Sequence, residues 1–332
     1  MHVIDQTLNK TSQVEGIMRR DAFVAALVVL LTGAMLSGCS KSTTGPESSV
    51  DGQDLAAIRT LILEDPLFTS DSYALDDGDL VTFGTSLGKT ANPIIPISWG
   101  RRVTSRNIEA QFENVNDTTV VATVTHTIKG DLIILAKTST NDTARITKPF
   151  TNVTVRKAKF YREGRISDPG RGWRPAEISG VKGGTEGSQV TITNLEVTIG
   201  NEIHVIADPT EYFFKVNRPG PRPLPVLATI QPIKVRVTLT SADPDTDWVS
   251  LHRPFMIVIM GPEHRVKALH IRMKLVSQIQ LGSLYQRVYE YTWAGHIPGR
   301  HTVLIDAVTR SSLFDDTAPF STQIWGIPYI VQ

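Results

Sequence analysis

The sequence predicts a mainly β protein: an α+β domain in which a helix precedes a curved antiparallel sheet, followed by a β-sandwich. Three observations lead there. One amphipathic helix pattern stands alone ahead of the strands. From about residue 97 the hydrophobic period is two. After a proline-rich run, strands recur without helices between them.

The helix is expected over Asp54–Glu64, where Leu55, Ile58, Leu61 and Ile62 follow helical spacing. Asp51 or Asp54 can cap its start, and Pro66 stops it. In Thr118–Ile128 one face carries Val120, Ala122, Val124, His126 and Ile128, and the other Val121, Thr123, Thr125 and Thr127. That alternation reads as a half-buried strand, with Lys129-Gly130-Asp131 turning into Leu132–Leu135. Thr151–Tyr161 is a further strand, Asp168–Gly172 a loop, and Val190–Ile199 with Glu202–Ala207 a hairpin turned by Gly200-Asn201.

Arg218–Pro225 holds four prolines, which lack the donor a sheet interior needs, so it reads as an edge or an interdomain crossing. Beyond it, strands are expected at Ile233–Leu239, Phe255–Met260, Leu269–Leu275, Val288–Trp293, Thr302–Ala307 and Thr322–Ile330. By strand number this C-terminal part, about 225–332, resembles an immunoglobulin or fibronectin type III sandwich, without the cysteine pair of antibody domains. Residues 53 to about 185 place one helix first and then strands, with Arg156–Arg162 followed by Gly172-Trp173-Arg174. That order resembles the cone-shaped nuclear-transport-factor-2-like fold, a family that includes isomerases, dehydratases and plain binding modules.

The first 38 residues have a different character. After Met18 come Arg19-Arg20, an apolar run from Ala22 to Leu31, and then Leu36-Ser37-Gly38-Cys39. Ten apolar residues are too few to cross roughly 30 Å of hydrocarbon and suit a signal peptide. Leu-Ser-Gly-Cys resembles the bacterial lipobox. The resemblance implies cleavage between Gly38 and Cys39, a diacylglyceryl group on the Cys39 thiol, and acylation of the new amino terminus. Two or more chains, at about 0.8 kcal/mol per buried methylene, make a permanent membrane anchor. Ser40 rather than Asp after the cysteine points to the outer membrane by the enterobacterial sorting pattern, and Met18 is the expected natural start. The expected organisation is a signal peptide at 1–38, the lipidated cysteine and a polar tether at 39–52, an α+β domain at 53–207, a proline-rich crossing at 208–226 and a sandwich at 227–332.

Composition excludes some classes. The formal net charge is +1, and removing residues 1–38 takes away three bases and three acids and leaves it there. Nucleic-acid binders draw most of their affinity from a basic excess, so no nucleic-acid partner is expected. With Cys39 the only cysteine, no intramolecular disulfide and no free thiol nucleophile remain once it is lipidated.

The chemistry-bearing motifs are sparse. Gly84–Thr90 has three residues between its glycines where a phosphate loop needs four, and reads as a turn. Asp243, Asp245 and Asp247 have the opening spacing of a calcium loop, but Trp248 stands at its sixth position and Pro254 at its twelfth, where Gly and Glu are required. Asp76, Asp77 and Asp79 around Gly78 are a similar group. His264 with His270, and His296 and His301 with Asp306 and Asp315-Asp316 nearby, are the histidine candidates for acid–base or metal chemistry. Neither His-Glu-x-x-His nor Gly-x-Ser-x-Gly occurs. His126, on the apolar face of its strand, is the one pocket candidate. The five tryptophans, Trp99, Trp173, Trp248, Trp293 and Trp325, include candidate sugar-stacking platforms if exposed, and Trp293 and Trp325, in strands with inward-looking patterns, are read as core. No catalytic set, cofactor or metal is expected. The function expected is a non-catalytic binding or scaffolding role in the cell envelope, with a protein or glycan partner. The alternative is an enzyme or small-molecule carrier using the first domain near His126.

Overall fold

In the computed structural model, residues 50–69, 75–77, 81–82, 94–137, 143–216, 219–256, 266–294 and 297–332 are described, with backbone alone at 81–82, 254–256 and 266–269. Gly38 and Cys39 lie outside them. The protein is mainly β. Three α-helices are described: α1 (Gly52–Glu64), α2 (Pro66–Thr69) and α3 (Arg310–Phe314). The strands are β1 (Val81–Thr82), β2 (Ile95–Asn116), β3 (Thr119–Lys137), β4 (Thr143–Arg162), β5 (Trp173–Ser179), β6 (Val181–Thr185), β7 (Val190–Ile199), β8 (Glu202–Ile206), β9 (Phe213–Lys215), β10 (Val226–Leu227), β11 (Pro232–Ser241), β12 (Trp248–Met256), β13 (Val266–Arg272), β14 (Lys274–Leu281), β15 (Leu284–Ala294), β16 (Gly299–Val308) and β17 (Thr322–Val331).

A 12-stranded sheet has the main path β1-β2-β3-β4-β6-β17-β16-β12-β13, and a five-stranded sheet runs β14-β15-β11-β7-β8. Residues 48–332 form one compact unit. Strands from both sides of residues 208–226 share both sheets: β6 pairs with β17, and β7 with β11. The proline-rich segment is therefore a connection within one unit. Its prolines stay at an edge, where Leu224 donates to the Lys215 carbonyl and β10 adds a short parallel pairing to β17.

The sheet's longest strands are not interrupted where a turn was expected. β3 runs straight through Lys129-Gly130-Asp131. Gly130 marks a close approach instead: any Cβ there would collide with the Arg102 carbonyl, next to a register shift between Val103 and Ser105 of β2. The expected strand Leu269–Leu275 is likewise two strands. It breaks at Met273, where the chain leaves the first sheet at β13 and enters the second at β14.

Helix α1 is fixed at its start by a capping box between Asp51 and Asp54. The Arg171 guanidinium reaches Asp54, Gln53 and Asp51 at 2.8, 2.8 and 3.1 Å. Ile58 and Ile62 of α1, with Leu67 and Phe68 of α2, join Val120, Ala122, Val124 and Phe160 in one apolar cluster. The same cluster continues between the sheets through Val235, Val237, Val249, Leu251 and Ile305. A second cluster lines the hollow of the larger sheet: Trp99, Ile128, Leu132, Ile134, Phe150, Trp248, Leu304, Val308 and Ile324.

Candidate functional site at the seam of the curled sheet

Along the sheet, four strands separate β2 from β16. At about 4.8 Å per strand spacing they would lie roughly 24 Å apart if the sheet were flat. Yet Arg101 Nη1 of β2 is 2.6 Å from Asp306 Oδ2 of β16. The sheet therefore curls until its two ends face each other, and charged side chains fill the seam.

The register explains which residues meet there. His252 lies opposite Leu304 and His270, and Ser250 opposite Asp306, so these groups share the concave face. Arg101, one strand over from Leu132, points into the same hollow. Asp77, just before β1, accepts from the Arg101 backbone N–H at 2.5 Å and its Nε at 3.1 Å. His270 Nδ1 stands 2.9 Å from the other Asp77 oxygen. His252 Nε2 is 2.7 Å from Ser250 Oγ and 3.5 Å from Asp306 Oδ2, and Thr322 Oγ1 donates to Asp306 Oδ1. The two imidazoles lie 4.0 Å apart between centroids. Arg101, His252 and Asp306 are all buried.

Burial pushes the Asp77 carboxyl up, but the Arg101 guanidinium and the His270 ring outweigh it and hold it well below the usual carboxylate range. Burial likewise works against the Arg101 charge, and Asp77 and Asp306 more than restore it. A lone buried arginine would be prohibitively costly; here two carboxylates share it.

Ser250, His252 and Asp306 do not form a hydrolytic triad. In a triad the serine and the carboxylate bind opposite ring nitrogens, whereas both contacts here fall on Nε2. Ser250 is also buried, so no substrate carbonyl reaches its oxygen. The arrangement ties strands together. Among the described residues, no group of three His, Cys, Asp or Glu is placed to hold a metal ion.

Among the described residues, the other candidates from the sequence are dispersed. His126 is 1% exposed, between Val124 and Ile128 on the concave face and opposite Thr154 of β4. Asn152, Thr154 and Arg156, buried on the adjoining strand, make a polar seam between the two apolar clusters. His301 Nε2 is 2.8 Å from the Ile297 carbonyl oxygen, and burial holds the ring's pKa down. Gly84–Thr90, Asp79, His264 and His296 lie outside the described residues.

The Asp243–Asp247 segment is held by protein cations. Arg287 donates to Asp247 at 2.7 Å and to the carbonyls of Asp243 and Pro244, while Arg310 pairs with Asp245 at 3.1 Å. Asp243 accepts the backbone N–H groups of Asp245 and Ser311. Burial pushes the Asp247 carboxyl up to about 6 against the pull of Arg287. All five tryptophans are buried, so none is a stacking platform.

Two surface clefts flank α1. One, of about 680 Å³, includes Leu61, Glu64, Glu163, Arg174 and the Asp65–Arg300 ion pair. The other, of about 350 Å³, lies between α1 and Ile108–Gln111 of β2. His126 lines neither. No helix among the described residues is long and apolar enough to cross a membrane. Comparison with family models, with curated proteins and with solved structures gives no match.

Proposed function

We propose that this is a lipid-anchored protein of the bacterial cell envelope, held by Cys39 in the outer membrane, with a non-catalytic binding or scaffolding role toward a protein or glycan. The observation that carries the anchor is Leu36-Ser37-Gly38-Cys39 at the end of a short apolar run, followed by a polar tether and no second cysteine. The non-catalytic part rests on the seam. Arg101, Asp77, Asp306, His252 and His270 are spent on one another inside the sheet. The likeness of the C-terminal part to an immunoglobulin-like sandwich belongs to this reading, and the apolar cluster shared between the two sheets supports it.

The test is fatty-acid labelling in a bacterial host. Wild type is expected to take up an acyl probe and fractionate with membranes; Cys39→Ala is expected to be exported unlabelled. A labelled Cys39→Ala protein would sink the anchor. One observation favours a second reading, a small-molecule carrier or enzyme: the polar seam of Asn152, Thr154 and Arg156 beside His126. Loss of ligand uptake or turnover in a fully stable His126→Ala variant would establish it.

A further inference from the structure

The five-stranded sheet ends at β14. Strand β15 pairs with one edge of β14, and no described strand pairs with the other. Every residue of Lys274–Leu281 except Leu275 is exposed, so beyond Leu275 neither face is packed under the rest of the fold. Val276, Ile279 and Leu281 are 50, 52 and 50% exposed, and Leu284 across the turn is 41% exposed. An open edge is a template for another strand, and monomeric proteins blunt it with lysines, prolines or a covering element. Between Leu275 and Gln286 there is no charged residue and no proline.

We propose that β14 is the joint between two copies of this chain, which pair antiparallel along it and merge their five-stranded sheets into one. The two-fold axis is then normal to the sheet. Residues facing each other across it must share a face, so the axis passes through a residue position. Ile279 pairs with Gln286 and Leu281 with Leu284, which places all four on one face. Centring the axis on Ile279 sets that residue opposite its own counterpart, and Leu281 opposite Ser277 of the second copy. Lys274 then lies beyond the end of the second copy's β14, so no like charges meet. That neutrality selects the occupant. A charged foreign strand would find no ion partner along Leu275–Leu281, whereas a second copy needs none. The β8 edge is less suited, being five residues long with Glu202 exposed on it. A head-to-tail β8–β14 joint would also not close and would give a polymer.

The experiment uses the full chain with Cys39→Ser, which contains no thiol. Light scattering on the eluting protein is expected to give the mass of two chains, and Ile279→Lys to give one chain with an unchanged circular-dichroism spectrum. The same shift separates a β14 joint from association through the apolar run at 22–31. Ile279→Cys in this background is expected to cross-link into dimers on mild oxidation or with a short bismaleimide, since directly opposed Cβ atoms lie about 4.5–5.5 Å apart. Thr193→Cys, exposed on β7 away from the edge, is the control and is expected to stay uncross-linked. A monomeric Cys39→Ser protein, a ladder of larger species, or equal cross-linking through Thr193→Cys would each overturn the proposal. If Ile279→Lys fails to fold, the cross-linking pair still decides.

Discussion

The two sheets deal with their ends in opposite ways. The larger one curls on itself and closes its seam with Arg101, Asp77, Asp306, His252 and His270; the smaller one stays open, and its last strand carries no charge beyond Lys274. The difference follows from when the partner is present. A seam within one chain always has its counter-charges at hand, so buried ions there are never left alone. An edge that meets a separate molecule spends part of its life without one, and a buried-type charge would then lose nothing by staying hydrated and much by docking. Apolar side chains and backbone donors tolerate both states.

The largest effect that can break this comparison is at the seam. Arg101→Met leaves Asp77 and Asp306 facing each other without their shared cation. Removing one member of a buried ion cluster costs about 3–5 kcal/mol, read by denaturant unfolding. Arg102→Met, one residue along, loses an exposed pair with Asp131 and is expected to cost under about 1 kcal/mol. Equal effects of the two would mean that the seam does not hold the sheet closed. Acid probes the same place. Asp77 is held below its ordinary value of 3.8 in the folded protein. The stability it contributes is therefore complete above about that pH and lost as pH falls beneath it. Wild type is expected to lose stability more steeply than Asp77→Asn between pH 5 and pH 2, with unfolding free energy as the readout.

The strands were legible because their alternation is set by burial, which each side chain reports separately. Val120 to Ile128 on one face of β3 is an example. The interruptions were less so. Gly130 has the chemistry of a turn and serves close backbone approach; Met273 looks continuous with its strand and is where the chain changes sheets. At the seam, the structure joins Asp77, His270 and Asp306 across residues far apart in sequence. Spacing along the chain groups Asp77 with Asp76 and Asp79, His270 with His264, and Asp306 with His296 and His301. Sequence proximity stood in for spatial proximity, and Arg101 lies 205 positions from Asp306. His252 and Arg101 were missed altogether. A charged residue on the apolar face of a strand was the available signal, as Leu304, Asp306 and Val308 illustrate on β16.

A middle-sized effect is expected at His126. It sits on the concave face between residues of the two apolar clusters, and its truncation removes a buried ring from a row that continues through Val124 and Ile128. His126→Ala is expected to cost about 1–3 kcal/mol in thermal or denaturant unfolding while partner binding survives. A variant of unchanged stability would show that the ring is not packed, and would move the concave face toward the carrier reading.

The smallest effect is expected at the open edge, and it separates what β14 does for the fold from what it does between copies. Ile279→Thr keeps a β-branched residue on the strand, so the backbone preference for extended conformation is preserved. What is lost is apolar area, and about half of that side chain already faces solvent in a single copy. Fully burying an isoleucine is worth about 1.5–3 kcal/mol, so the change within one chain is expected at no more than about 1 kcal/mol. Measured at protein concentrations low enough for single chains, unfolding of Ile279→Thr should therefore track wild type far more closely than Arg101→Met does. A penalty of 3 kcal/mol or more would mean that the hairpin is clamped inside its own molecule, and the contrast between a closed seam and an open edge would fall.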